Sequence, residues 1–439
     1  MSGLVLGLIA LTVTFVMLVL RVHIGVTMLA GGALCYWAIN DGDLSALWFT
    51  LNNLAYSRLS NYDLAVIPLF VLMGQFATHG GLSRAIFRFA SSLVGHWRGG
   101  MGISAVGACA GFGAICGSSL ATSATMSHVA LPELRRHNYP GGLATATVAA
   151  GGTLGILIPP SVPLIIYAVL TQESIAKLFV AAIVPGILAT IGYMLVLRIV
   201  LARSGGDDTC APKASWTDRL TATIGVLPVL GVFLVVIVGI YGGWANPTEA
   251  ASIGAAACGI LAIAQGGMRW QGIRTSLLGT AETTAMIFLI LLGADLLNSG
   301  LALSQMPTEL AAWVSNAGFE PMLVLIAILL LYLVLGCFMD SLAMILLTIP
   351  IFYPVVMGLE FFDLTMTEKS IWFGILALMV VEIGLITPPM GMNLFIVQRV
   401  AGDVPFMTTV RGVLPFLMSD LLRIVLLLIF PGLCLWLLV

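Results

Sequence analysis

Charge is what this sequence has least of. Asp, Glu, Lys and Arg make up 9% of its 439 residues, against 60% hydrophobic, where a soluble globular chain carries about 25% charged residues. That deficit excludes an ordinary soluble domain, and a formal net charge of −2 gives no basic surface for nucleic acid. No Cys-x-x-Cys pair occurs. Cys35, Cys109, Cys116, Cys258, Cys337 and Cys434 sit in apolar runs and read as small packing residues, neither a disulfide frame nor a metal site. The N-terminus lacks a basic n-region and a small-residue cleavage site, so residues 3–20 read as a retained first helix. A catalytic constellation is also missing. Ser119 and His128 stand nine residues apart on one predicted helix, with no third residue to orient them.

What is present is hydrophobic sequence from end to end. A hydrocarbon core of about 30 Å takes roughly 20 apolar residues per helix. Spanning segments are predicted near 3–20, 24–39, 62–78, 140–169, 178–200, 221–241, 247–265, 279–298, 370–397 and 424–438. Amphipathic stretches at 82–97 and 301–316 are predicted to lie at the interface. Two longer stretches, about 101–133 and 321–357, are interrupted by Gly-Ser-Ser and Met-Asp-Ser. The basic residues orient the chain. Arg21, Arg84, Arg88, Arg98, Arg135, Arg136, Arg198, Arg203, Lys213, Arg219, Arg269, Arg274, Arg399 and Arg411 all fall on the cytoplasmic side if the N-terminus is periplasmic. Residues 101–133 then enter and leave from the cytoplasm, and 321–357 from outside. Both are predicted as re-entrant helical hairpins, although two full crossings each would satisfy the charges equally well.

The interruptions repeat. GILIPPSVPLIIY at 155–167 aligns with GLITPPMGMNLFI at 384–396, and SSLATSATMSHVALP at 118–132 with DSLAMILLTIPIFYP at 340–354. IPLFVLMG at 67–74 resembles MIFLILLG at 286–293 in the same order. With the orientation above, this predicts an all-α polytopic membrane protein built as an inverted-topology repeat. Residues 1–202 form the first half (hairpin about 101–133, broken helix about 140–169), 203–219 a cytoplasmic linker, and 220–439 the second half (hairpin about 321–357, broken helix about 370–397).

Prolines 159, 160, 388 and 389 lack the N–H that would bond the carbonyl four residues earlier. The carbonyls of Gly155, Ile156, Gly384 and Leu385 are therefore expected to be free. An unsatisfied carbonyl in hydrocarbon costs several kcal/mol, and unwound carbonyls beside hydroxyls suit an alkali cation. Candidate Na⁺-site residues are Ser118, Ser119, Thr122, Gly155, Ile156 and Pro159 in the first half, and Asp340, Ser341, Gly384, Leu385 and Thr387 in the second. Each half-helix beyond a proline pair offers N–H groups to a carboxylate. Ser161, Pro389, Asn393 and Asp340 are the candidate substrate contacts, and no arginine lies near either break. Asp340 is equally suited to capping the helix that starts at Ser341. Glu249 reads as an N-terminal structural residue, Glu282 and Asp295 as interfacial, and Glu382 as a possible support for the second break.

The segments GSSLATSAT, LPELRRHNYP, AAGGTLGILIPPS, NPTEAAS, MDSLAMILLTIPIFYP and EIGLITPPMGMNLF resemble the large membrane (M) subunit of TRAP, or tripartite ATP-independent periplasmic, transporters. The match runs from about 60 to 438. It implies a secondary transporter of the bacterial inner membrane that imports a small organic anion, driven by Na⁺ as coupling ion and with no organic cofactor. It further implies an elevator-type movement of a transport domain past a scaffold. The implied partners are a small four-helix Q membrane subunit, expected as a separate chain, and a periplasmic substrate-binding P protein. A proton-coupled carrier of the same architecture is the alternative, with a channel or an intramembrane enzyme further off.

Overall fold

The computed structural model describes residues 3–203 and 210–438, and every regular element among them is helical. Residues 204–209 of the expected linker lie outside the described residues. The first half contains α1 (Gly3–Val19), α2 (Ile24–Ile39), α3 (Ser45–Leu59), α4 (Val66–His79) and α5 (Leu82–Val94). It continues with α6 (Gly100–Cys116), α7 (Ser119–Arg136), α8 (Gly141–Leu157), α9 (Val162–Thr171) and α10 (Ile175–Arg203). The second half contains α11 (Trp216–Tyr241), α12 (Pro247–Ala264), α13 (Trp270–Leu303), α14 (Met306–Asn316) and α15 (Pro321–Gly336). It goes on with α16 (Ser341–Met357), α17 (Met366–Gly384), α18 (Met392–Ala401) and α19 (Phe406–Ile429), and closes with a short helical turn, α20 (Gly432–Leu435).

Polar residues between the apolar runs set the helix starts. Ser215 with Asp218, Asn246 with Glu249, and Thr365 with Glu368 each form a reciprocal capping box, satisfying backbone N–H groups that a helix N-terminus leaves open. Glu249 thus has the structural role read from the sequence. Six stretches among the described residues are long and apolar enough to cross a bilayer: α8 with α9, then α10, α11, α12, α13 and α19.

The helices pack in two groups. α2 lies along α13, α4 along α12 and α13, α11 along α12, and α1 along α2. The second group holds both interrupted stretches: α6 and α7 pack on α8, α15 and α16 on α17, and α10 and α19 flank α8 and α17. The two amphipathic helices bridge the groups. α5 packs on α6 and α11, and α14 on α16, α1 and α13. In the second group 83% of the apolar window of α8 and α9 is buried, against 28% for the peripheral α11 of the first group. The broken helix therefore sits at the centre.

One expectation is corrected. The last spanning helix runs from Phe406 to Ile429 and ends before Pro431, so it is not the segment 424–438. A mutual ion pair between Asp420 and Arg423 lets the apolar helix include both charges. Asp295 is buried inside the fold, 7% exposed on α13, and Arg58 of α3 grips it with Nη2 2.7 Å from Oδ1. Glu282 lies mid-helix in α13, on its exposed face.

Candidate functional site: two helix breaks and two hairpin tips

Each hairpin packs its tip on the break of the same half. In the first, α6 ends at Gly117, whose left-handed backbone (φ +63°) makes the turn into α7. A Cβ on Gly117 would stand 3.0 Å from the Pro160 carbonyl oxygen. A Cβ on Gly113 would stand 2.4 Å from the Gly155 Cα, so two glycines let α6 and α8 touch by backbone. In the second half, Gly384 and Gly336 meet in the same way, with a Gly384 Cβ 2.5 Å from the Gly336 Cα. The Cys337 thiol lies 3.8 Å from the Pro388 carbonyl oxygen. The Pro159–Pro160 and Pro388–Pro389 peptides are both cis.

The second arms exchange partners between halves. α7 packs on α18, and α16 packs on α9. Each hairpin therefore packs both arms on the helix before its own break and adds, through its second arm, a contact with the half-helix beyond the other break. Ser118 and Asp340 occupy equivalent places as N-caps of α7 and α16, accepting from the backbone N–H groups of Ala121 and Ala343, each at 3.4 Å. The capping reading of Asp340 is therefore realised. Its carboxylate also faces a cavity.

That cavity, about 140 Å³, is lined by Ser118, Ser119, Ile156, Asp340 and Ser341, with Gln75 and Thr78 of α4 and Thr283 of α13. Both tips thus open on one space. Thr122 lies beside the first break: a Cβ on Gly155 would stand 2.5 Å from its Oγ1, which is buried and unpartnered. Ser161 caps no N–H of α9, and its buried Oγ has no partner. The Gly155 and Ile156 carbonyls accept no backbone hydrogen bond beyond their own helix.

The second break differs. It spans Leu385–Gly391, whereas the first spans Ile158–Ser161. The longer connector folds back on itself. Thr387 N–H donates to the Gly384 carbonyl at 3.1 Å, Asn393 N–H donates to the Leu385 carbonyl at 3.0 Å, and Thr387 Oγ1 donates to Ile383. The carbonyls expected to be free at 384 and 385 are thus each partnered once, and the first N–H groups of α18 are partly used. Gly384, Leu385, Thr387, Pro389 and Asn393 do not line the cavity, and of the first-break candidates Thr122, Gly155, Pro159 and Ser161 do not line it either. Asn393 is fully buried and reaches α8 instead, with Nδ2 3.4 Å from the Ala149 carbonyl.

Two features had weak sequence signals. Ser119 Oγ donates to Glu382 Oε2, joining the first tip to the helix before the second break. Deeper in the same group, Tyr193 OH donates to Asp420 Oδ2 at 2.8 Å, Arg423 Nη2 lies 2.8 Å from Asp420 Oδ1, and Thr153 Oγ1 lies 3.1 Å from Tyr193 OH. The i,i+3 spacing of an acid and a base inside an apolar run was the signal for this pair. His128 is exposed and does not meet Ser119.

A polytopic helical membrane protein with two tips and two breaks around buried polar groups has the construction of a secondary transporter. Residues 11–433 match the family described as "Tripartite ATP-independent periplasmic transporter, DctM component", and the chain belongs to that family. It is 36% identical over 378 residues to the C4-dicarboxylate TRAP transporter large permease protein DctM of Pseudomonas aeruginosa, covering 86% of each chain. It is 34% identical over 374 residues to the sialic acid TRAP transporter large permease protein SiaM of Vibrio cholerae, covering 85% of each. Among solved structures, the Alcanivorax borkumensis YdaH transporter superposes with a TM-score of 0.62, covering 89% of each chain at 16% identity, a likeness of fold.

Proposed function

We propose that this chain is the membrane subunit through which a tripartite secondary transporter imports a small organic carboxylate, driven by a Na⁺ gradient. The observation that carries the reading is the convergence of both hairpin tips on one cavity beside the first break. Ser118, Thr122 and the free carbonyls of Gly155 and Ile156 supply oxygens for one cation. Asp340 and Ser341, with the second break behind them, supply the other. Two cations beside one space make that space hospitable to an anion, because opposite charges attract strongly where water is excluded. Ser161 and the open N-terminus of α9 supply donors for the carboxylate. C4-dicarboxylate and sialic acid, named for the two relatives, share a carboxylate, which sets the substrate class.

The two halves act as inverted repeats, with the hairpins re-entrant from opposite faces and the N-terminus periplasmic. The group built on α6–α10 and α15–α19 moves as the transport domain, and the group built on α1, α2, α4 and α11–α13 stays as scaffold. The amphipathic α5 and α14 connect them. A small membrane subunit and a periplasmic binding protein complete the system in the inner membrane. The test is uptake of labelled succinate and sialic acid into proteoliposomes holding this chain with both partners, each component omitted in turn. Uptake that needs all three supports the reading. Uptake that ignores the binding protein contradicts it.

A further inference from the structure

Glu382 is a buried carboxylate with no positive partner among the described residues. It is 2% exposed. Its Oε2 accepts from Ser119 Oγ, and its Oε1 has no hydrogen-bond partner. Arg423, on the neighbouring α19, pairs with Asp420 through Nη2, leaves Nε and Nη1 buried without a partner, and makes no ion pair with Glu382.

Further unpartnered oxygens lie along the same seam. Ser119 and Ser123 are i,i+4 neighbours on one face of α7, about one turn apart. Ser123 Oγ is fully buried and unpartnered, and it presses on α8 where Gly152 leaves room: a Cβ there would stand 1.8 Å from it. Asn393 of α18 touches Ala149, one turn before Gly152 on the same face of α8, and its Oδ1 has no partner. The Asn393 backbone is tied to Leu385, three residues beyond Glu382. α7, α8, α17 and α18 thus close on a seam that holds a carboxylate oxygen, an amide oxygen and a hydroxyl, none of them engaged.

A lone carboxylate so placed is neutralised by a proton or by a cation. One proton serves one oxygen and the acceptor it then bonds. One alkali cation bonds several oxygens at once, and the donor set is the hard, oxygen-only kind that such ions prefer. We infer that Glu382 Oε1, Asn393 Oδ1 and Ser123 Oγ form an additional monovalent-cation site, set behind the first tip and separate from the two tip sites. The site rests on the sodium-driven reading and extends it. Through Ser119, the carboxylate that holds this cation also holds the start of α7, so filling the site orders the first tip.

The experiment is thermal unfolding of the purified full chain in NaCl, KCl and choline chloride at equal ionic strength, at mildly alkaline and mildly acidic pH. The variants are Glu382→Gln, Ser123→Ala and, as the tip control, Asp340→Asn. Glu382→Gln keeps the shape and the acceptor for Ser119 and removes the charge. The expected result is a sodium-specific rise in Tm in the unaltered chain that falls by roughly half or more in Glu382→Gln. In choline, Glu382→Gln is the more stable protein, because it buries no uncompensated charge. Ser123→Ala moves the sodium midpoint several-fold higher. A sodium rise undiminished in Glu382→Gln but lost in Asp340→Asn overturns this site and leaves the tip sites standing. Stabilisation of the unaltered chain by acid in choline, as large as that by sodium, overturns it in favour of a proton. No sodium rise at either pH removes this site and the sodium-driven reading together.

Discussion

Gly336 and Gly384 lie backbone to backbone, so close that a Cβ on Gly384 would stand 2.5 Å from the Gly336 Cα. Gly113 and Gly155 repeat the relationship in the first half, at 2.4 Å. Small residues at such contacts let membrane helices approach without a side chain between them. Here they seat each hairpin on its break.

Gly155→Ala and Gly384→Ala should therefore separate hairpin from break. A Gly384 Cβ would meet only Gly336 backbone, and a Gly155 Cβ would stand 2.5 Å from Oγ1 of the stiff, β-branched Thr122 and 3.0 Å from the Ser118 carbonyl oxygen. Overpacking of this kind costs about 1–3 kcal/mol. Thermal unfolding in detergent should show a lower Tm for each, while Gly432→Ala, which meets nothing within 4 Å, stays level. Equal stability of all three would contradict the close seating.

Asp340 has two duties that substitution can separate. As N-cap of α16 it accepts from Ala343 N–H, and as a cavity carboxylate it faces the space shared by both tips. Asn retains capping ability and Ala does not, at a cost of about 0.5–2 kcal/mol. Asp340→Asn should keep its Tm in choline yet lose sodium-dependent uptake, and Asp340→Ala should lose both. Full uptake by Asp340→Asn would reduce Asp340 to a cap.

The Asp420–Arg423 pair is buried at 0% and 7% exposure. Removing one partner of such a pair leaves an uncompensated charge, at about 3–5 kcal/mol. Arg423→Met alone should be strongly destabilising, and Asp420→Leu with Arg423→Met should recover most of the loss. A double-mutant cycle read by urea or thermal unfolding checks this. A double variant no better than the single one would show that packing against Tyr193, whose ring lies 5.8 Å from the guanidinium carbon, matters more than charge.

Orientation is tested by cysteine labelling. Arg135 at the end of α7 and Trp270 at the start of α13 both belong to the cytoplasmic face in the proposed topology. In a background with the native cysteines replaced, Arg135→Cys and Trp270→Cys should react with an impermeant maleimide only in inverted vesicles. Reaction of either in intact cells would overturn the inverted arrangement.

The interrupted segments were legible because glycine and proline mark them, whatever surrounds them. The breaks after Leu157 and Gly384 and the tips at Ser118 and Asp340 follow directly from those residues. α3 was missed because Asn52, Asn53, Ser57 and Arg58 dilute its apolar run, and its one buried ion pair reaches Asp295, 237 positions away. The segment 424–438 is free of charge, whereas α19 carries Arg411, Asp420 and Arg423. Two of those charges cancel inside the helix, which no local pattern of hydropathy reports. The bond from Ser119 to Glu382 joins residues 263 positions apart and depends on how the halves interlock. The partnering of the Gly384 and Leu385 carbonyls depends on the longer second connector, whose fold the proline pair alone does not specify.

The central claim is that a sodium gradient drives uptake through the paired tips. The most direct measurement is initial uptake of labelled substrate into proteoliposomes of the three-component system, with inward gradients of Na⁺, K⁺ or H⁺ imposed one at a time. The account predicts uptake with the sodium gradient alone, abolished in Asp340→Asn and reduced at least tenfold in Ser118→Ala. Uptake driven equally well by a proton gradient without sodium, or unchanged in both variants, would contradict it.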